Sequence, residues 1–246
     1  LKPSLGKAYI GRAKLLAGKG LFEKAAADIS VIIKDVKGDA GLYILRGGYY
    51  FKNADYTAAL SDFLQAIALK PNNPDYYNEA ANTYTEQGNT TAADALFVKG
   101  FTVAGMDTQT LQCYYGKFLV GQKRFAEAVA QYQKAFAGNP ANLYSDDYNN
   151  AAIASYKTND LVNAERYADI AIKSDPDCVN CYLNGASVAI DKQDWSKLLT
   201  LARAALKLAP ENPNVNMLMA VGLTRTGSAE EGKQYENKAK ALSAKN

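Results

Sequence analysis

Apolar residues recur at spacings of three and four along most of the chain, as in Leu60, Phe63, Leu64 and Ile67. That spacing marks helices that each bury one stripe. Short polar breaks interrupt the stripes: Asn53-Ala54-Asp55, Gln87-Gly88-Asn89, Gln122-Lys123-Arg124, Thr158-Asn159-Asp160 and Lys192-Gln193-Asp194. Each break joins two expected helices. Pro71, Pro140, Pro176 and Pro210 fall where the second helix should stop, because proline lacks an N–H and clashes with the preceding turn. No strand pattern is present, and the chain is expected to be all-α.

The helix pairs repeat. The run Ala40, Tyr43, Gly47, Tyr50, Tyr56, Ala59, Phe63, Ala66, Pro71 spans 34 residues. Laid over the chain, that period gives seven units, 6–39, 40–73, 74–107, 109–142, 145–178, 179–212 and 213–246. The eighth residue of each is small: Ala13, Gly47, Ala81, Gly116, Ala152, Ala186 and Ala220. Small residues let two helix backbones approach, while Tyr50, Phe63, Tyr84, Phe97 and Tyr132 fill the space between successive pairs. No pair can bury its stripe alone, so the core is expected to come from stacking neighbours. Leu1-Lys2-Pro3 is in register with Leu69-Lys70-Pro71. Residues 1–5 therefore read as the tail of a preceding unit, with any signal or anchor expected upstream of Leu1.

In its period, early aromatic, small eighth residue, paired alanines and closing proline, the chain resembles the tetratricopeptide repeat family. The resemblance runs over 1–246 as one array. Gln112 and Asn216 replace the early aromatic, Lys37 and Gly105 replace the proline, and Gly232 and Glu236 make the last second helix atypical. The resemblance implies an α-solenoid of helix-turn-helix repeats wound as a right-handed superhelix. It also implies that the first helices line a concave groove for a peptide or protein partner.

Composition narrows the chemistry. With no histidine in 246 residues, the commonest general base and the Ser-His and Cys-His nucleophile pairs are gone. Gly18-Lys19-Gly20 lacks the upstream glycine and hydroxyl residue of a phosphate loop. No enzyme activity, cofactor or metal is expected. Nor is there an apolar stretch of the roughly 18 residues that direct membrane insertion requires. Net charge is only +3 and it alternates: +4 over 1–39, −3 over 40–107, +3 over 109–142 and −4 over 143–178. The alternation argues against a continuous nucleic-acid track and would suit head-to-tail self-association.

First-helix positions facing away from the second helix supply the expected partner-binding residues: Lys14, Phe51, Asn78, Asn82, Lys117, Asn149, Asn150, Tyr156, Asn180 and Asn184. Asparagine amides both donate and accept, so they can grip a peptide backbone whatever its side chains. They also suit solvated helix starts. Cys178-Val-Asn-Cys181 could be half a zinc site or a redox dithiol. Only Cys113 remains as a further soft ligand, which leaves structural thiols or, in an oxidising compartment, a local disulfide. Two functions fit: a non-enzymatic scaffold that binds a protein or peptide in the groove, or the helper region of a larger cell-envelope or multidomain protein. Cytoplasmic and envelope settings are both compatible with the sequence.

Overall fold

The computed structural model describes residues 3–36 and 38–244. Lys37 and the leading Leu1-Lys2 of the expected tail lie outside the described residues. Among the described residues the structure is helical throughout, with no strand. The helices are α1 (Pro3–Gly18), α2 (Phe22–Asp35), α3 (Ala40–Lys52), α4 (Tyr56–Leu69), α5 (Pro74–Glu86), α6 (Thr90–Gly100) and α7 (Thr108–Gly121). They continue as α8 (Phe125–Phe136), α9 (Ser145–Lys157), α10 (Leu161–Ser174), α11 (Val179–Asp191), α12 (Trp195–Leu208), α13 (Pro213–Arg225) and α14 (Ala229–Ser243). A 3-10 turn, Pro140–Asn142, precedes α9.

The polar breaks are three-residue turns built alike. Their central residues, Ala54, Lys123, Asn159 and Gln193 as well as Gly20, Gly88 and Gly227, all have positive φ, which reverses the chain in one step. In four of these turns the side chain of the third residue then caps the next helix, while Leu21, Arg124 and Ser228 make no such bond. Asp55, Asn89, Asp160 and Asp194 each accept a hydrogen bond from the backbone N–H three residues on, satisfying a donor that the helix start would leave bare. The helices α4, α10 and α12 end two residues before Pro71, Pro176 and Pro210.

The chain forms two compact units, Leu1–Tyr115 and Gly116–Asn246. In the first, α1 to α5 each pack on the next helix in sequence. The small eighth residue works as expected: a Cβ on Gly47 would lie 2.6 Å from Phe63 Cε1, so the fully buried ring takes the space that glycine leaves. In the second unit α8 to α14 pack in the same sequential way, and α11 also touches α9 and α13. Gly116 faces Tyr132 as Gly47 faces Phe63.

Two departures from the repeat pattern have local causes. Asn216, in place of the early aromatic, is fully buried and donates to the carbonyls of Pro210 and Asn212, holding the loop ahead of α13. At Gly232 a Cβ would meet Ala220 O at 2.9 Å and Thr224 Oγ1 at 2.5 Å. Here α13 and α14 run too close for alanine.

Candidate partner-binding surface

In the second unit the first helices α9 and α11 are tied by polar pairs one repeat apart. Asn184 Nδ2 donates to Asn149 Oδ1 at 2.8 Å, and seven residues further along each helix the Tyr156 hydroxyl bonds Asp191, which raises the phenol's pKa. Lys157 stands over the Tyr156 ring. Near the helix starts, Asp146 accepts from Lys117 Nζ at 2.7 Å, and its carbonyl accepts from Asn150 Nδ2. Of the residues expected here, Lys117 and Asn180 are exposed, while Asn150, Tyr156 and Asn184 are half-buried. Asn149 is only 8 % exposed. Its amide orients Asn184 and offers little surface of its own.

In the first unit Asn82 and Lys14 are exposed and Asn78 is half-buried. Phe51 leans edge-on against Tyr56 with ring centroids 5.4 Å apart. A hollow of about 400 Å³ is lined by Ile44, Gly48 and Lys52 of α3, Glu79 of α5, and the rings of Phe22 and Phe63. A Cβ at Gly48 would meet nothing, so the missing side chain helps keep the hollow open. Burial raises the Glu79 carboxyl above its ordinary range, Asp75 adds to the rise, and Lys52 offsets part of it. Reading the first-helix columns for asparagine alone passes over Glu79. It occupies the sixth place of its unit, the same place that yields Asn150 and Asn184.

Cys178 and Cys181 are joined by a disulfide with Cα atoms 5.4 Å apart. Cys178 is the N-cap of α11, and its Sγ accepts from the Cys181 N–H. The pair thus closes the first turn beside Asn180, while Cys181 is fully buried. Cys113 is buried and lies outside this bond. No group of acidic or cysteine side chains suited to a metal occurs among the described residues, and no helix there is long and apolar enough to cross a membrane.

Residues 47–88 match the family described as TPR repeat. No curated protein matches the chain in sequence. Among solved structures it is similar to yeast Tom70, at 18 % identity and TM-score 0.68, over 98 % of this chain and 47 % of that one. It is also similar to Pseudomonas aeruginosa pilF, at 15 % identity and TM-score 0.66, over 84 % of this chain and 97 % of that one. A third is YrrB, described as a TPR protein with an unusual peptide-binding site, at 20 % identity and TM-score 0.57, over 76 % of this chain and 95 % of that one. The repeat is thus matched at residues 47–88, and the fold along the chain is similar to that of solved tetratricopeptide-repeat structures.

Proposed function

We propose that the chain is a non-enzymatic scaffold, a single array of seven repeats whose first-helix surface holds a peptide or protein partner. The supporting observation is the row of amides and charges on α9 and α11. Asn149 fixes one side of the Asn184 amide and leaves Asn184 Oδ1 to accept from a peptide N–H. Asn180, exposed one turn earlier on α11, offers both donor and acceptor. A side chain already oriented by its neighbour loses less freedom when it binds. The resemblance in fold to YrrB, a peptide binder by its description, fits the same reading. The alternating charge blocks favour a mixed-sign protein surface over a polyanion.

The test is selection of binders from a displayed library of extended peptides, followed by affinity measurement. Replacing Asn78, Asn82, Asn180 and Asn184 together with alanine should abolish binding and leave the far-ultraviolet circular dichroism unchanged. Asn149 is kept in this variant because its burial makes it structural. Undiminished affinity would dismiss the asparagine surface.

A further inference from the structure

We infer that the hollow between α3 and α5 receives a lysine side chain of the partner peptide, its aliphatic stem against the apolar wall and its ammonium on Glu79. This builds on the proposed peptide-holding surface and specifies a residue that the peptide must carry. Two repeat columns are exceptional at this place. The sixth residue of each unit is Gly11, Leu45, Glu79, Tyr114, Asn150, Asn184 and Leu218, so Glu79 alone is charged. The ninth is Lys14, Gly48, Asn82, Lys117, Ile153, Ser187 and Val221, so Gly48 is the one glycine. Both exceptions line the same hollow of about 400 Å³. A Cβ on Gly48 would touch nothing. Packing therefore does not require glycine there, and its effect is to leave open space beside a carboxylate.

That carboxylate has no donor within its own unit. Asp62 is gripped by Arg46, and Asp94 accepts from the Tyr115 hydroxyl. Asp75, one turn before Glu79 on α5, accepts from the Tyr114 hydroxyl. Glu79 is half-buried, and among the described residues nothing donates to its side chain. Lys52, the other charged residue of the lining, is exposed and acts on Glu79 only at a distance. Burial consequently holds the Glu79 carboxyl above its ordinary range. A cation brought in from outside would remove that cost by giving the ionised form a partner.

The rest of the lining selects among cations. Phe22, Ile44 and Leu45 present hydrocarbon to the hollow, which suits the long aliphatic stem of lysine beneath a compact charged head. An arginine would bring more N–H groups than one carboxylate can accept, leaving some desolvated without an acceptor. An acidic side chain would meet like charge in a partly buried place.

The experiment selects extended peptides from a displayed library on the whole chain and, in parallel, on its Glu79→Gln and Gly48→Leu variants. Selection on the wild type should enrich lysine at one fixed position, and both variants should lose that enrichment. In a selected binder, norleucine in place of that lysine keeps the stem and removes the ammonium. The exchange should weaken binding to the wild type about tenfold and leave binding to Glu79→Gln nearly unchanged, which isolates the pair. Glu79→Gln removes an unpaired carboxylate and Gly48→Leu fills open space. Both variants should therefore melt no lower than the wild type at pH 7, separating lost recognition from lost folding. Binders that depend on Asn78, Asn82, Asn180 and Asn184 but show no lysine preference, that accept arginine equally well, or that hold Glu79→Gln as tightly as the wild type overturn the inference and leave the peptide-holding surface standing. A library that yields no binder removes that surface and the lysine site with it.

Discussion

In the pair α3/α4 the space between helices is filled by Phe63, received by Gly47, while the preceding residues on the same helices form the ion pair Arg46–Asp62. In the pair α11/α12 the same places are Ala202 opposite Ala186, and Leu201 against Gly185, whose Cβ would lie 3.3 Å from Leu201 Cδ1. The bulky residue has moved by one position. Where the second helix carries Asp-Ile or Asp-Phe (28–29 and 62–63) the filler sits second and an arginine answers the aspartate; where it carries Tyr-Ala or Leu-Ala (167–168 and 201–202) the filler sits first. One helix pair can thus be closed in two ways, by a polar tie beside a ring or by a single apolar filler against glycine or alanine.

Breaking the polar tie gives the largest expected effect. Asp62→Leu installs the residue found at position 201 but leaves the Arg46 guanidinium, held above its ordinary pKa by the hydrogen bonds to Asp62, facing leucine. A loss of about 3 kcal/mol is expected, the low end for removing one member of a buried pair because Arg46 keeps some exposure. Adding Arg46→Ala, which copies Ala80 opposite Leu96, should restore most of it. Chemical denaturation of the two variants checks this, and a double variant as unstable as the single one would show that the two closures are not interchangeable.

Volume is the next lever. Ala152 holds the repeat position of Gly47 and is almost without exposure, so Ala152→Leu should cost about 1–3 kcal/mol by overpacking. Gly47→Ala should cost a similar amount, because its new methyl meets the Phe63 ring. A neutral Ala152→Leu would mean that the two-column exchange of volume has been misassigned.

The two units also differ in how they treat a carboxylate. Burial raises Glu79, whereas hydrogen bonds from Lys192 and Lys197 lower Glu165. A carboxyl raised in the folded state stabilises below its unfolded pKa, and that contribution disappears as pH rises through the folded value. Glu79→Gln should therefore raise the melting temperature at pH 7 and leave it unchanged near pH 3. A lowered carboxyl stabilises above its unfolded pKa and loses this as pH falls through the folded value. Glu165→Gln should lower the melting temperature at pH 7, and the deficit should vanish on acidification. Parallel pH series for the two variants give slopes of opposite sign; slopes of the same sign would refute the contrast.

The period, the breaks, the small eighth column and the terminating prolines were readable because each is a property of a residue and its distance to the next unit. The exchange between Phe63 and Leu201 was not, since it concerns which of two adjacent residues points between the helices. For the asparagines the helices that carry them were readable but not their employment: only the placing of α9 beside α11 shows that Asn149 is consumed in holding Asn184. The cysteine spacing admitted several chemistries, and what separates them is that Cys178 caps α11 while Cys181 points inward.

The smallest effect concerns the turns. All seven central turn residues have positive φ, yet three are glycine and four carry side chains, a difference that runs across both units. A side chain in the left-handed region costs about 1–2 kcal/mol, and glycine returns roughly 0.5–1 kcal/mol of this through its freer unfolded state. Gln193→Gly should therefore gain about 0.5 kcal/mol, and Gly88→Gln should lose about the same. Asn159→Gly should be nearer neutral, because asparagine tolerates this conformation better than glutamine does. Thermal melts of the three variants order them, and a destabilised Gln193→Gly would mean that its side chain makes a contact outweighing the backbone strain.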